Sequence, residues 1–432
     1  MSGLQRRRDL LGHLFKAAVT AAYPAGHLEP HLPPPPKRGR LIVLAAGKAG
    51  ASMAAVAERF YRDRHGLGPD LLAGLAVTRY GYAEPAGLIP VAEAAHPTPD
   101  PNGIEATERV LALAGKATAD DLVLVLLSGG GSANWVAPAG RLTLDEKKGV
   151  TKGLLGSGAT IGEINTVRKH LSRIKGGRLA RLVPARMLTL AISDVPHDDP
   201  AVIASGPTVP DPSTLADARA VVARRGIALP VSAKALLDDP GNETPKLGDP
   251  VFARTEFHIV IRPADAIAAV AEAAARAGYA VVNLGADVEG EAREVAVNHA
   301  SMAKEARASG RPVAIVSGGE LTVTIRDKDG TGRGGPNQEY ALALAIALGG
   351  TPGLAALAAD TDGIDGGAGS ADDPAGAIVD ETTLERARAL GLDPAALLAD
   401  NDSTNFFARL GDLVACGPTR TNVNDCRIIL VG

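Results

Sequence analysis

Aromatic residues are scarce in this chain, 3% of 432 residues with a single tryptophan, and cysteine occurs only twice. The first shortage removes the stacking platforms on which single-stranded nucleic acid is held. The second excludes a disulfide framework and a structural zinc site, because Cys416 and Cys426 lie near the C-terminus with no second pair and no histidine cluster. An excess of one charge is missing too. With 45 Lys and Arg against 49 Asp and Glu the net charge is -4, so there is no basic stripe to meet a phosphate backbone, and nucleic acid is excluded as the expected partner. No apolar run approaches membrane-spanning length, and residues 1–16 are charged from Arg6 to Asp9 without the apolar core of a signal peptide. The expectation is a soluble cytoplasmic protein without a membrane partner.

Glycine, by contrast, is abundant, and it gathers at the ends of apolar runs. Residues 122–127 form a short, uninterrupted aliphatic run, as in a parallel strand covered on both faces, and it stops at Ser128-Gly129-Gly130-Gly131-Ser132. Without Cβ atoms, successive N–H groups of such a loop can turn towards an anion, and open α/β sheets bind ligands at strand carboxyl ends. A second copy follows far downstream, where residues 312–316 lead into Ser317-Gly318-Gly319-Glu320. An earlier aliphatic run, 41–46, leads through Gly47-Lys48-Ala49 into a helical pattern. A lysine at a helix N-terminus suits an anion.

Other loops carry candidate chemistry. His96 is held between residues 88–92, read as a strand, and a proline-stiffened loop, and is a secondary candidate. On the amphipathic pattern of residues 161–182, Asn165 and Arg168 belong to a compact polar cluster with Lys169 and His170 that is a candidate for a polyanion, although cations on an amphipathic helix are usually a solvated face. The run 187–192 ends in Ser193-Asp194, and Asp360-Thr361-Asp362-Gly363 forms an acidic glycine loop; Asp194 and Asp362 are candidate ligands for a hydrated cation such as Mg²⁺. Capping and turn chemistry is the competing explanation. The terminal glutamate and flanking helices of an EF-hand are absent at the required offsets. Arg333 sits among glycines ahead of Pro336-Asn337-Gln338-Glu339, and Asn422 lies in a loop dense in threonine and asparagine.

Length and composition predict two α/β domains, each with a mostly parallel sheet flanked by helices. The Pro-, Gly- and Asp-rich residues 237–250 read as the linker, giving domains at 1–240 and 251–432, the second opening with a βαβαβ run from residue 257. Several sites are excluded: there is no Gly-x-x-x-x-Gly-Lys-Ser/Thr, no Gly-x-Gly-x-x-Gly after the first strand and no Gly-x-Ser-x-Gly elbow.

Taken together, Gly47-Lys48-Ala49, His96-Pro97-Thr98-Pro99-Asp100, Leu127-Ser128-Gly129-Gly130-Gly131-Ser132-Ala133, Asn165-Thr166-Val167-Arg168-Lys169-His170, Ser193-Asp194-Val195, Ala204-Ser205-Gly206-Pro207-Thr208, Ser317-Gly318-Gly319-Glu320, Gly334-Gly335-Pro336-Asn337-Gln338-Glu339, Asp360-Thr361-Asp362-Gly363 and Thr421-Asn422-Val423-Asn424-Asp425 resemble the glycerate 2-kinase family. The resemblance spans nearly the whole chain. It implies a Rossmann-like N-terminal domain and a C-terminal α/β domain containing a MOFRL region at about residues 311–425. It also implies ATP-dependent phosphorylation of D-glycerate to 2-phosphoglycerate with Mg²⁺ or another divalent cation, in the cleft between domains. Lys48 and Arg333 match the family's catalytic lysine and arginine. Gly47, His96, Ser128 to Ser132, Asn165, Arg168, Ser317 to Glu320, Asn337, Asp360 and Asn422 fall in the motifs expected to bind substrate or nucleotide. An insertion at Asp327-Lys328-Asp329 departs from the family's compact loop. Members are often labelled hydroxypyruvate reductases, a label the missing dinucleotide motif opposes; that activity and a non-catalytic sugar-acid or sugar-phosphate sensor are the alternatives. A homodimer is compatible with the sequence.

Overall fold

The computed structural model describes residues 3–325, 332–367 and 369–432. After the N-terminal helix α1 (Gly3–Ala22), the chain forms two compact units: residues 24–261, and residues 262–432 together with α1. Counted with the first domain in the sequence reading, α1 groups with the C-terminal half. Its buried Leu11, Leu14, Phe15 and Ala18 supply the apolar stripe that seats it there, and Arg8 pairs with Asp380 and Asp412.

The unit 24–261 is built on six parallel strands: β1 (Leu41–Ala46), β2 (Leu72–Arg79), β3 (Val91–Ala94), β4 (Leu122–Leu127), β5 (Arg186–Ile192) and β6 (Thr255–Ile261). Their spatial order is β3-β2-β1-β4-β5-β6. All six residues of β1 and of β4 are buried, as expected of central strands covered on both faces. This is the doubly wound order, in which the chain leaves β1 and β4 in opposite directions and opens a crevice outside their carboxyl ends. The register Ala46↔Leu127 makes those ends level, so Gly47 and Ser128 emerge side by side.

Helices α2 (Gly50–His65) and α3 (Pro101–Gly115) follow β1 and β3. Asp100 caps α3 by accepting from the Gly103 N–H, 2.9 Å away, and Pro101 occupies the first turn, where no backbone donor is needed. A single turn, α4 (Gly131–Asn134), follows β4, and then α5 (Leu144–Gly156) and α6 (Ile161–His170), each opened by a capping box, Thr143 with Glu146 and Thr160 with Glu163. The helical pattern of residues 161–182 is therefore two helices. The first ends at His170, and Gly176 and Gly177, with φ of 58° and 78°, turn the chain into the short α7 (Arg178–Leu182). Helices α8 (Leu215–Arg224) and α9 (Val231–Asp238) pack with α5 and α6 in a satellite core around Leu154, Val167 and Leu237.

In the second unit α10 (Pro263–Arg276), β7 (Ala280–Asn283), β8 (Gly290–Glu291), α11 (Ala292–Ala308), β9 (Val313–Ser317), β10 (Leu321–Thr322), α12 (Pro336–Leu348), β11 (Leu354–Asp360), β12 (Gly376–Asp380), β13 (Leu413–Val414) and β14 (Asp425–Val431) follow in turn. The main sheet runs β13-β12-β11-β14-β9-β7, and only β7 and β9 are parallel. The other four pairings are antiparallel, which corrects the expectation of a mostly parallel second sheet. The expected βαβαβ run is also shorter. Its first strand is β6, which pairs with β5 in the first sheet, so one parallel βαβ unit, β7-α11-β9, remains. A buried aliphatic strand such as β11 or β14 carries no sequence mark of its neighbours' direction.

Candidate active site

Seven of the residues anticipated from sequence meet where β1 and β4 end. Gly47 has φ of 111°, and a Cβ there would fall on the carbonyl and hydroxyl of Ser128, so glycine is required for the two loops to touch. The Lys48 N–H donates to the Gly129 carbonyl at 2.7 Å and the Ala49 N–H to Ser128 Oγ at 2.9 Å. Ser128 is thus spent on capping α2. Gly130, at φ of 82°, lies against both Lys48 and His96; a Cβ would come 3.3 Å from Lys48 Cγ and 3.1 Å from His96 Cδ2. Gly131 opens α4 beneath them, packed on Ala46 and Ala204.

The imidazole of His96 is pushed down to about 3 by burial and then by the positive charges of Lys48, Arg79 and Arg168. Its Nδ1 is buried without a protein partner. The ring is therefore neutral in the working range, and stability depends on it. An unfolded histidine titrates near ~6.5, so the unfolded chain takes up a proton that the folded site refuses. The contribution is fully present above that value and lost as pH falls from it towards about 3. The stability gap between the wild type and His96→Phe, measured by urea denaturation, is expected to move against the wild type between roughly pH 7 and pH 4.5. A gap constant over that interval would refute a buried neutral His96.

Ser132 is the hub of a second layer. Its Oγ accepts from Arg168 Nη2 at 2.8 Å and from Lys175 Nζ at 3.0 Å, and Lys175 also donates to the Ser132 carbonyl at 2.6 Å. With both lone pairs used, its one proton goes to Ser205 Oγ, 2.8 Å away, and Ser205 in turn donates to Asn165 Oδ1 at 3.5 Å. A hydroxyl so engaged positions the loop and is not a free nucleophile. Ser205 reaches it because Ala204 and Ser205 adopt φ of 49° and 62°. Of the basic residues in the α6 cluster, Lys169 is buried in an ion pair with Asp211 at 3.1 Å and the His170 ring bonds Glu243 at 3.0 Å, which leaves Arg168 to serve the loop.

Sequence reasoning missed Lys175 and Lys147. Burial and the charges of Arg168 and Lys147 depress the Lys175 ammonium well below its usual value, and burial with Arg168 brings Lys147 down to about 7. Lys147 donates to the Leu171 carbonyl at 3.1 Å. Among the described residues, Lys147, Arg168 and Lys175 have no carboxylate within ion-pair distance. Two buried amines of depressed basicity and the half-buried Arg168 guanidinium thus stand near the glycine loop, and an arriving anion would favour the charged form of each amine. A lysine within a helical pattern looks like part of a solvated face, so nothing in the sequence flagged either one.

Asp194 follows β5 on the same sheet edge, half-buried, next to Ser193, whose N–H donates to the Ile261 carbonyl at 3.0 Å. Among the described residues no three His, Cys, Asp or Glu side chains converge to hold a metal.

The remaining candidates lie in the second unit, at one end of its sheet. Gly318 and Gly319 are explained by packing: a Cβ on the first would press on Ile267 and Ala286, and on the second it would overlap the Val288 backbone. Ser317 Oγ accepts from Arg427 Nε at 3.2 Å, and the Gly318 carbonyl accepts from the same guanidinium. Glu320 is exposed beyond them. Asn337 begins α12; its N–H donates to Asp365 Oδ1 at 2.9 Å and its amide to Asp425 Oδ1 at 2.6 Å. Asp365, raised to about 7 chiefly by burial, also accepts from the Gln338 N–H and so holds the first turn of that helix.

Asp360 ends β11 and accepts from the Asp362 N–H at 2.9 Å, while Asp362 Oδ1 accepts from the Ile364 N–H at 2.7 Å. The Asn422 loop is latched to this turn: Thr361 Oγ1 donates to the Asn424 carbonyl at 2.7 Å, and Asn422 itself is buried. Arg333 precedes α12, its N–H bonded to Asp402 Oδ1 at 2.9 Å and its half-exposed guanidinium 3.4 Å from Asp373. The insertion Asp327-Lys328-Asp329 lies outside the described residues. No helix among the described residues is long and apolar enough to cross a membrane.

Two family profiles match the chain: a domain of unknown function, DUF4147, over residues 10–238, and MOFRL over residues 313–425. A protein of Agrobacterium vitis bearing a provisional hydroxypyruvate reductase name is 51% identical over 98% of this chain and 94% of its own. The D-glycerate 2-kinase of Thermotoga maritima is 40% identical over 98% of both. A crystal structure of glycerate kinase from Thermotoga maritima superposes with a TM-score of 0.84 at 38% identity, covering 99% of this chain and 100% of the other. The protein is a member of the MOFRL-containing glycerate 2-kinase family.

Proposed function

We propose that this chain is a cytoplasmic kinase that transfers the terminal phosphoryl group of ATP to the 2-hydroxyl of D-glycerate. The observation that carries this reading is the glycine loop at the switch point of the first sheet, where Lys48 lies against Gly130, Arg168 and Lys175 hold Ser132 at the loop's end, and Lys147 lies near enough to Arg168 to feel its charge. Phosphoryl transfer asks a protein chiefly for positioning and neutralisation of charge, and backbone amides with cations supply both. We assign Lys48 to the transferring phosphoryl group, where a compact point charge suffices. Arg333 is assigned to the glycerate carboxylate, which a planar guanidinium clamps through two parallel bonds. A cation caged by protein alone lacks support; Mg²⁺ arriving on triphosphate needs only one or two carboxylates, a demand that Asp194 or Asp362 can meet.

The provisional reductase name of one relative finds little support in the loop after β1. A dinucleotide site needs glycine backbone open to the pyrophosphate, whereas Gly47 is pressed onto Ser128 and the next residue is a lysine. The test is direct. The purified protein is given D-glycerate with MgATP, and separately hydroxypyruvate with NADH. ADP release and a 2-phosphate product identified by phosphorus NMR are expected, and NADH oxidation without ADP release would overturn the proposal.

A further inference from the structure

Beside the glycine loop, wholly within residues 24–261, lies a cavity of about 490 Å³ walled by α5, α6 and the loop after His96. That volume falls in the range of roughly 300–1,000 Å³ usual for small-molecule sites. It is far larger than a three-carbon acid requires. Its lining mixes two kinds of residue. Leu144, Leu155, Ile161 and Ile164 contribute apolar surface with Pro97 and Pro99, which suits a flat, weakly polar ring. Lys147, Lys148, Lys152 and Arg168 supply four basic groups, and among the described residues no carboxylate lines the cavity. Ser132, the hub held by Arg168 and Lys175, forms its border with the glycine loop. At Ser132 the cavity therefore borders the loop that carries Gly130 against Lys48.

We infer that this cavity binds the adenosine end of ATP, with the polyphosphate passing Arg168 and Ser132 towards Gly129 to Gly131 and Lys48. The inference rests on the kinase reading and adds to it which motif serves which substrate. Lys147 is buried with a carbonyl as its hydrogen-bond acceptor, and a phosphate oxygen beside it restores the charge that burial and Arg168 oppose. The apolar wall gives affinity without a fixed set of base contacts. Lys148 and Lys152, one half-exposed and one exposed, steer the anion, and their effect weakens with salt.

Gly149 makes a clean probe. It lines the cavity within α5, and a Cβ built on it meets nothing within 4 Å, so Gly149→Phe fills the cavity without a clash at its base. Helix propensity favours the replacement. Isothermal titration of the full chain with ATP in the absence of glycerate is expected to give a Kd raised on the order of tenfold or more in Gly149→Phe, because the ring-binding wall is occluded. The Kd for inorganic tripolyphosphate should stay within about twofold, its charge contacts being intact. The double variant Lys148→Glu, Lys152→Glu should weaken both ligands, and circular dichroism melting should find both variants folded. An unchanged ATP Kd in Gly149→Phe, in a protein that still phosphorylates glycerate, overturns the cavity assignment alone. Weakened ATP binding in Gly149→Phe, in a wild type that releases no ADP with glycerate, upholds the cavity and overturns the kinase reading. Failure of the wild type to bind ATP overturns both.

Discussion

Lys48→Ala is expected to lower kcat for D-glycerate phosphorylation by roughly a hundredfold or more, the scale on which single electrostatic donors act at a developing charge. Lys48 is the cation that the backbone itself aims: its own N–H is tied to the Gly129 carbonyl, and its Cγ lies against Gly130. Moving it would require both glycine loops to move. The substitution leaves that backbone pair in place, so the thermal midpoint should change little while turnover collapses. Lys48→Arg should restore only part of the rate, because a planar fork does not occupy the position of a compact ammonium. ADP release measured over a range of ATP and glycerate concentrations separates kcat from KM. A variant with normal kcat and raised KM for glycerate would make Lys48 a ground-state binding residue, and an unaltered enzyme would remove it from the site.

The first sheet and its glycine loop were legible because every relevant signal was local. Residues 122–127 are continuously aliphatic, the glycines stand where the strand stops, and a lysine follows the neighbouring strand. The second Ser-Gly-Gly motif reads the same in sequence but differs in space. Gly318 and Gly319 are small so that the residues 286–288 can lie against them, and the adjoining carbonyl belongs to Arg427. Close packing and ligand approach both demand the absence of a Cβ, so a sequence cannot separate them. Strand direction in the second sheet was hidden for a related reason: pairing is decided by where the chain re-enters, as when residues 361–424 return to lay β14 between β11 and β9. The hardest residues to find were the buried cations. Lys147, Lys175 and Arg427 look like solvent-facing residues until the fold surrounds them, and their partners are a carbonyl, a serine and a carboxylate drawn from segments distant in sequence or hidden beside them in a strand.

Arg427→Met should destabilise the protein by about 3–5 kcal/mol, the usual result of stripping one partner from a buried charge pair. Arg427 is 1% exposed in the middle of the second sheet. Its Nη1 donates to Asp425 Oδ2 at 2.8 Å, and its remaining donors serve Ser317 and the Gly318 carbonyl. Methionine matches the stem and deletes every one of these bonds. Asp425 is then left buried beside Asp365, to which the Asn337 amide bridges it and whose titration it pushes upward. The sign of the pH dependence follows. Burial holds Asp425 above its ordinary value and Arg427 opposes that rise, so the variant's carboxyl binds its proton more readily still. A group raised in the folded state costs stability as pH rises and returns it as pH falls. His299 works in the same direction, because Arg427's charge, after burial, is what depresses it to about 4, and without that charge the folded imidazole resists acid less. The gap between wild type and variant in urea denaturation should therefore narrow from neutral pH towards pH ~5. Asp425→Asn placed in the Arg427→Met background should recover part of the loss, since the two residues act as one unit and their effects are not additive. A gap that is independent of pH, together with additive losses in the double variant, would mean that Arg427 contributes packing alone and that the polar junction beneath Ser317 and Asn337 does not depend on its charge.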